Sequence, residues 1–252
     1  MLRGTPGRWS RRAVAEWLKE EAAAEAPLLI GIDASLALPF ADAGAYFPGW
    51  DRSPTDAAAL WQMIAAMNRD DPTLGATAML ADPAIAGHFR QRGGGGFAGL
   101  GRLRVTERAC RDQGLGPAVS TFNLVGPAQV GKSSLSAMRL VEQLRGRVAV
   151  WPFDPLPDRG PVLVELYTTI AARAARVARS RSKLRDAAAL DAAMAALGVA
   201  PHGQLDRYDD HSTDALIGAA WLRNAAGEER LWSPPELTAG LARTEGWTFG
   251  VA

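Results

Sequence analysis

The segment PVLVELYT, residues 161–168, places a single charge inside a run of apolar side chains. Its valine and leucine residues predict a β-strand, with Glu165 lying inside that strand. A carboxylate is costly to bury without a partner, so Glu165 either faces solvent from an edge strand or has a functional partner. We favour the second alternative, which makes Glu165 a candidate site residue.

An earlier segment, LLIGIDASLALPF, residues 28–40, predicts a second strand. Its apolar run over 28–32 is typical of a buried strand, and Asp33 stands where that strand should end. Chemistry in open α/β sheets usually lies at the carboxyl ends of the strands. Asp33 is therefore a second candidate, although capping of a turn would also explain an aspartate at this position.

A third group of acids occurs in DRYDDHSTDALIGAAWL, residues 206–222. Asp210 and Asp214 are four residues apart, so both project from one face if the helix predicted here reaches back to Asp210. His211 lies beside them and could act as a base or bind substrate. Two simpler explanations stay open: the acids complement the positive end of the helix dipole, and a histidine at a helix start is commonly a surface residue.

These acids predict a metal site if the fold brings them together. Asp33, Glu165 and Asp214 would supply hard oxygen ligands for Mg²⁺ or Mn²⁺, with Asp210 and His211 assisting. Two such cations can activate water and stabilise the leaving oxygen in phosphodiester cleavage. The hypothesis is therefore metal-dependent hydrolysis of nucleic acid or another phosphate ester. A non-catalytic binding or scaffold protein is favoured instead if the acids are scattered.

The segment GPAQVGKSSL, residues 126–135, fits the phosphate-loop pattern G-x-x-x-x-G-K-[ST]. In such loops backbone N–H groups surround a phosphate, the lysine reaches the outer phosphates and the hydroxyl holds magnesium. An NTP-binding protein that uses the Gly126–Ser133 loop is thus an alternative function. The residues at the fixed positions of the pattern are Gly126, Gly131, Lys132 and Ser133.

The surroundings of this loop argue against an NTPase. A buried parallel strand should precede the loop, but the strand predicted there, VSTFNLV over 119–125, is half polar. The next predicted strand, over 147–153, contains Pro152, which cannot donate to a central ladder. An intermediate interpretation survives, in which Lys132 and Ser133 contact the phosphate of another ligand.

Composition narrows the class of protein. The chain has 252 residues, of which 48% are hydrophobic, so it can form a substantial core. Lysine plus arginine (28) and aspartate plus glutamate (27) almost cancel, so the net charge does not indicate nucleic acid or membrane. Cys110 is the only cysteine, which excludes an internal disulfide. We predict no signal peptide or transmembrane helix and expect a cytoplasmic protein.

One local segment is strongly basic. RAARVARSRSK, residues 173–183, overlaps a helix predicted over 169–180, in which Arg173, Arg176 and Arg179 follow one ridge. A track for a phosphate backbone is one explanation. A solvated helix face is the more common one.

Several segments together resemble the bacterial domain-of-unknown-function family four-two-nine, whose members are predicted nucleases with a ribonuclease-H-like fold. The segments occur in order from about residue 11 to the C-terminus: LLIGIDASLALPF, GPAQVGKSSL, VWPFDPL, VLVELYTT, DDHSTDALIGAAWL and EGWTFGV. The resemblance implies that Asp33 and Glu165 are the acids of the fourth and fifth strands of that fold. It also implies that Asp210 and Asp214 are the acids near the last helix.

The chain departs from that family at two places. Thr168 stands where the family usually has proline, and the chain enters a helix directly after MLRGTPGRWSRR. Ribonuclease-H-like folds instead open with three antiparallel strands, the first of which carries an aspartate and lies beside the strand that ends at Asp33. Without that strand the sheet has an unpaired edge. Three explanations of the missing strand stay open: the start is truncated, a homo-oligomer covers the edge, or catalysis has been lost.

The fold prediction is a single α/β domain over residues 1–252. It consists of an N-terminally reduced ribonuclease-H-like mixed sheet flanked by helices, with an irregular insertion at about 50–116.

Overall fold

The computed structural model describes residues 9–93, 96–126, 129–177, 184–201 and 203–252. Within these ranges the protein has a mixed α/β architecture with one small open sheet. The strands are β1 (Leu29–Ile32), β2 (Ala149–Trp151), β3 (Val162–Leu166) and β4 (Thr248–Phe249). The helices are α1 (Arg11–Ala23), α2 (Ala57–Met67), α3 (Pro83–Ala86), α4 (Val105–Asp112), α5 (Gly131–Leu144), α6 (Thr168–Ala174), α7 (Ala187–Ala196), α8 (Asp210–Ala225), α9 (Glu229–Trp232) and α10 (Ala239–Thr244), with a short 3₁₀ turn at Ala78–Ala81.

Strand β3 is the centre of the sheet. It pairs in parallel with β1 along its first four residues and with β2 along its first three. Its last two residues, Glu165 and Leu166, pair in parallel with β4. Because Ile32 of β1 already occupies one side of Glu165, Thr248 of β4 takes the other side. Glu165 therefore lies in a central strand and not at an edge.

Helices cover both faces of the sheet. Alternate side chains of a strand point to opposite faces, and Ile30, Ile32 and Leu163 pack with α1, α2 and α5. Leu29 and Val164 pack with α6, α7 and α8 on the other face. The result is a three-layer arrangement in which parallel strands are enclosed by helices, as their apolar sequences require.

Strand β1 has one strand neighbour in the described part of the chain. All four of its residues are half-buried, whereas the apolar run predicted a buried strand. No strand among the described residues lies on the far side of β1 from β3. All strand pairings within those residues are parallel, and the ribonuclease-H-like prediction therefore stays a proposal about fold.

Two predicted elements differ from the structure. The segment 119–125 forms no strand; its only ladder contact is an isolated bridge between Asn123 and Arg90, so the strand prediction is wrong. Phe122 and Leu124 are nonetheless buried, which explains the apolar pattern without a strand. The basic helix predicted over 169–180 ends at Ala174, and residues 178–183 lie outside the described part of the chain.

The segment 50–116, predicted as an irregular insertion, contributes to the same core. Helix α2 begins after Asp56, whose carboxylate accepts a hydrogen bond from the backbone of Ala59. Leu60 and Ile64 of α2 then pack in the cluster that contains α5. None of the described helices is both long and apolar enough to cross a bilayer.

A fully buried arginine, Arg104, joins this segment to the sheet. Its guanidinium forms a two-pronged ion pair with Glu165 of β3, at 2.5 Å from Nη2 to Oε1 and 2.8 Å from Nη1 to Oε2. Nε and Nη2 also donate to Glu107 of α4, and Nη1 donates to the carbonyl of Glu245. All five guanidinium N–H groups are thus used, which offsets the cost of burying the charge.

We predict that Arg104→Met destabilises the protein by about 3–5 kcal/mol, because it leaves two buried carboxylates without their cation. Equilibrium unfolding in urea measures the change. Arg159→Ala is the matched control, since this arginine is 81% exposed and reaches Glu25 only at 3.8 Å, and it should change stability by less than about 0.5 kcal/mol. Similar losses for the two variants would contradict the assigned role of Arg104.

Candidate functional site

Two clefts meet at the carboxyl ends of β1 and β3, where open parallel sheets commonly hold ligands. We name them the inner cleft, of about 440 Å³, and the outer cleft, of about 470 Å³. Asp33 lines both clefts. Glu165 and Ser133 line the inner cleft, while His211 and Asp214 line the outer one. The fold thus places predicted residues from three distant segments around Asp33.

Asp33 directly follows β1, as predicted, and its side chain reaches solvent through the clefts. Its pKa is raised above the ordinary value of 3.8, first because the cleft walls displace water and next because Asp214 carries a like charge; Glu165 adds a smaller repulsion. Hydrogen bonds from the backbone and side chain of Thr168 oppose this rise. Asp33 is therefore a carboxylate held by Thr168, and no ion pair joins it to a basic side chain among the described residues.

Thr168, which stands where the resembled family usually has proline, is a further site residue. It is the first residue of α6 and contacts Asp33 through two groups, its N–H and its hydroxyl. Proline at this position would have neither group. A threonine directly after strand β3 is thus the feature that orients the Asp33 carboxylate.

Helix α8 supplies the second acid. The helix does reach back to Asp210, because Asp209 caps it by accepting a hydrogen bond from Ser212 N at 3.0 Å. Asp214 then lies in its second turn and faces the outer cleft with the exposed His211. Asp210 points elsewhere: it forms an ion pair with Arg185 at 2.8 Å and lines neither cleft.

In the structure the partners of Glu165 are protein groups, whereas the sequence analysis predicted a metal ion. Besides the ion pair with Arg104, its Oε2 accepts a hydrogen bond from Leu36 N at 3.0 Å and its Oε1 accepts one from the Thr248 hydroxyl at 2.6 Å. The pleat explains this position, because Glu165 is in register with Ile32 and points to that residue's face of the sheet. Asp33, one residue later, is directed to the opposite face.

The donor set can be tested for its fit to a divalent cation. Within the described ranges, no three His, Cys, Asp or Glu side chains are grouped closely enough to hold a metal ion. A cation on Glu165 would have to displace the Arg104 guanidinium, so Glu165 as a ligand stays a prediction without geometric support. Asp33 and Asp214 both line the outer cleft, and a cation held by them stays a prediction, because magnesium commonly uses one or two carboxylates together with water and substrate phosphate.

The phosphate-loop segment has structural roles in this fold. The N–H of Gly131 donates to the carbonyl of Asn123 at 2.9 Å, and the Ser133 hydroxyl donates to the carbonyl of Val130 at 2.8 Å. The Ser134 hydroxyl accepts from Ser35 N at 3.1 Å, which fixes the turn after Asp33 against α5. Lys132 is exposed on the first turn of α5 and lines neither cleft.

Two further residues of the site, Arg104 and Glu107, were missed by the sequence analysis. Burial raises the pKa of Glu107, against the effect of Arg104. Burial alone would lower the pKa of Arg104, but the charges of Glu107 and Glu165 outweigh it and raise that pKa. The only sequence signal was that Glu165, if it did not face solvent from an edge strand, required a partner. Cys110 is a buried thiol of the inner cleft, and burial raises its pKa to about 11.

Comparison with known proteins adds no assignment: no family model, no curated protein and no solved structure matches this chain.

We predict that Gly131→Ala destabilises the protein by about 1–3 kcal/mol. A Cβ at this position would lie 2.5 Å from the carbonyl oxygen of Thr121 and 2.9 Å from that of Asn123, both of which belong to the backbone. Gly240→Ala, also in a helix, is the control: its Cβ would meet nothing closer than 3.7 Å, so it should be neutral or gain up to about 1 kcal/mol. Thermal unfolding compares the two, and equal melting temperatures would refute the packing role of Gly131.

We also predict that Asp33→Asn is more stable than the wild type at neutral pH. Because folding raises the pKa of Asp33, its contribution to stability is complete below the ordinary pKa of 3.8 and is lost as pH rises through the raised value. Asparagine cannot ionise, so its advantage should grow with pH over that window. Urea unfolding at several pH values measures this, and Asp51→Asn, which removes an exposed aspartate outside both clefts, is the control. A variant that is less stable than wild type at pH of about 7 would contradict the raised pKa.

Proposed function

We propose that the protein is a divalent-metal-dependent phosphodiester hydrolase whose cation is held by Asp33 and Asp214. The observation that carries this proposal is that Asp33 and Asp214 line one cleft at the carboxyl edge of a parallel sheet, and the raised pKa of Asp33 supports it. Two carboxylates at one cleft repel each other, and a cation bound between them would relieve that repulsion. Perturbed acids of this kind are concentrated in functional sites.

Each neighbouring residue has a role in this proposal. Thr168 orients Asp33, while α8 carries both Asp214 and the exposed His211. A bound divalent cation supplies a Lewis acid for the phosphoryl oxygen and lowers the pKa of a coordinated water. His211 would accept the proton of the water whose oxygen bonds to phosphorus, while the phosphorus–oxygen bond to the leaving group breaks and the leaving oxygen takes a proton from solvent.

Glu165 acts as a positioning residue. Its carboxylate is fixed by Arg104 and in turn holds the N–H of Leu36, three residues after Asp33. Lys132, exposed at the start of α5, contributes positive charge near the inner cleft, in which Ser133 provides a hydroxyl. Mg²⁺ or Mn²⁺ is the cation, because both prefer oxygen ligands.

The ribonuclease-H-like fold remains part of the proposal. Its support is that the strands ending at Asp33 and containing Glu165 are parallel neighbours, with a helix carrying Asp214 packed against β1. The fold would then be a reduced version of that architecture. Strand β1 would be the strand beside which the missing antiparallel strands normally lie.

Calorimetric titration with Mn²⁺ tests the site. We predict that the wild type binds the ion and that Asp33→Asn and Asp214→Asn weaken binding by about 100-fold or more, since even residues behind a ligand change metal affinity by roughly 10–100-fold. Both variants should also lose Mn²⁺-dependent hydrolysis of bis(p-nitrophenyl) phosphate, a general phosphodiester substrate.

Asp51→Asn serves as the control, because it removes an exposed aspartate that lines neither cleft. It should retain both the heat of binding and the hydrolysis. Equal heats from the wild type and all three variants would reject the proposed cation site. Binding that depends on Asp33 and Asp214 without any hydrolysis would leave a metal-binding protein that lacks the proposed activity.

A further inference from the structure

A third cleft, which we name the arginine cleft, adjoins the inner cleft. It measures about 450 Å³, and Val119 lines both clefts. Helix α4 separates them, because its Glu107 and Cys110 face the inner cleft while Arg111 faces the arginine cleft. The side chains that the arginine cleft offers to a ligand belong to Arg90, Phe97, Leu100, Arg111, Ser120 and Asn123.

The charge of this cleft is opposite to that of the inner cleft. Arg90 and Arg111 line it without any described acidic residue, whereas Asp33, Glu107 and Glu165 line the inner cleft without any described basic one. No carboxylate among the described residues pairs with Arg90 or Arg111. Two unpaired guanidinium groups at one concave surface favour an anion, and guanidinium geometry suits phosphate.

Both arginines are held in place from behind. Arg111 Nε donates to the carbonyl of Ala118 at 2.7 Å, which directs its terminal amino groups away from that bond. The backbone of Arg90 is held by its N–H, which donates to Phe122 O at 2.9 Å, while its side chain is exposed. Its guanidinium lies over Gly126, with Nη1 3.7 Å from the position of a Cβ there. The hydrogen bond on Arg111 restricts its guanidinium, which reduces the entropy lost when a ligand binds.

Two other arginines of the protein, unlike Arg90 and Arg111, use their side-chain N–H groups in contacts within the fold. Arg102 donates to both oxygens of Asp42 and to backbone carbonyls, and Arg104 is used fully by carboxylates and a carbonyl. The N–H donors of Arg102 and Arg104 are therefore occupied by hydrogen bonds within the protein. The terminal nitrogens of Arg90 and Arg111 donate to no described residue, although both side chains line a cleft.

An apolar wall completes the arginine cleft. Phe97 is half-buried there, and Leu100 is 71% exposed, an unusual exposure for a large apolar side chain in this protein. Proteins that bind single-stranded nucleic acid combine a basic groove with apolar or aromatic faces on which bases stack. A phosphate bound by the arginines and a base stacked on Phe97 would occupy both the basic part and the apolar part of the cleft.

We propose that the arginine cleft binds a non-scissile phosphate and its base in a single-stranded nucleic acid. The strand then runs past Val119 into the inner cleft and towards Asp33. This inference rests on the proposed function for the identity of the cleaved phosphate, but binding in the arginine cleft does not need the cation. The substrate is thereby a strand with at least two phosphates and not a small monoester.

Fluorescence anisotropy with a labelled single-stranded oligonucleotide in EDTA tests the proposal. Arg90→Ala and Arg111→Ala should each weaken binding about tenfold or more and reduce the salt dependence of log K by about one charge. Phe97→Ala should weaken oligonucleotide binding while leaving the affinity for inorganic pyrophosphate unchanged. Arg159→Ala, which removes the same charge from an exposed site outside the cleft, should match the wild type.

Circular dichroism confirms that each variant is folded before its affinity is compared. Equal affinities for Arg90→Ala, Arg111→Ala and Arg159→Ala would overturn the proposal, and so would an oligonucleotide that does not bind the wild type. Unchanged binding in Phe97→Ala would overturn the assignment of a base. Asp33→Asn separates the two proposals, because this variant should lose hydrolysis but still bind the oligonucleotide in EDTA.

Discussion

The ion pair between Arg104 and Glu165 is the interaction on which the arrangement of this protein depends. It joins the start of α4 to the central strand of the sheet, and a shared carbonyl of Glu245 brings in the segment before β4. Glu245 itself accepts from Phe40 N and Val105 N, so the loop after β1 is tied to the same point. Removal of one partner would leave buried charge uncompensated, which makes the whole group cooperative.

This buried network explains why the acids Glu165 and Asp33 have different roles. Glu165 is neutralised within the fold and therefore positions the turn after Asp33. Within the described ranges no such cation pairs with Asp33, and its pKa is raised by the loss of water in the cleft and by the like charge of Asp214. The one acid is a structural anchor and the other is available to a ligand. The adjacent arginine cleft has the complementary sign, so an anionic strand and a cation can be bound side by side.

Local sequence patterns were sufficient to predict that β3, β1 and α8 exist. Their apolar runs, and the cap of α8 at Asp209, each depend on only a few neighbouring residues. The partner of Glu165 was not predictable, since Arg104 is 61 residues away and no periodicity marks a long-range ion pair. The strand predicted over 119–125 failed for a related reason. Its apolar residues, Phe122 and Leu124, are buried by tertiary packing without a pairing strand, and the phosphate-loop glycine Gly131 is required by close contact with that same segment.

The central claim is that Asp33 and Asp214 share one cation. Paramagnetic broadening of backbone amide signals by substoichiometric Mn²⁺, followed by NMR, locates a bound ion directly. The account predicts that broadening is strongest at Asp33, Thr168 and Asp214 and is absent from these residues in Asp33→Asn. Broadening centred on other acids, such as Asp70 and Asp71, or no selective broadening at all, would contradict it.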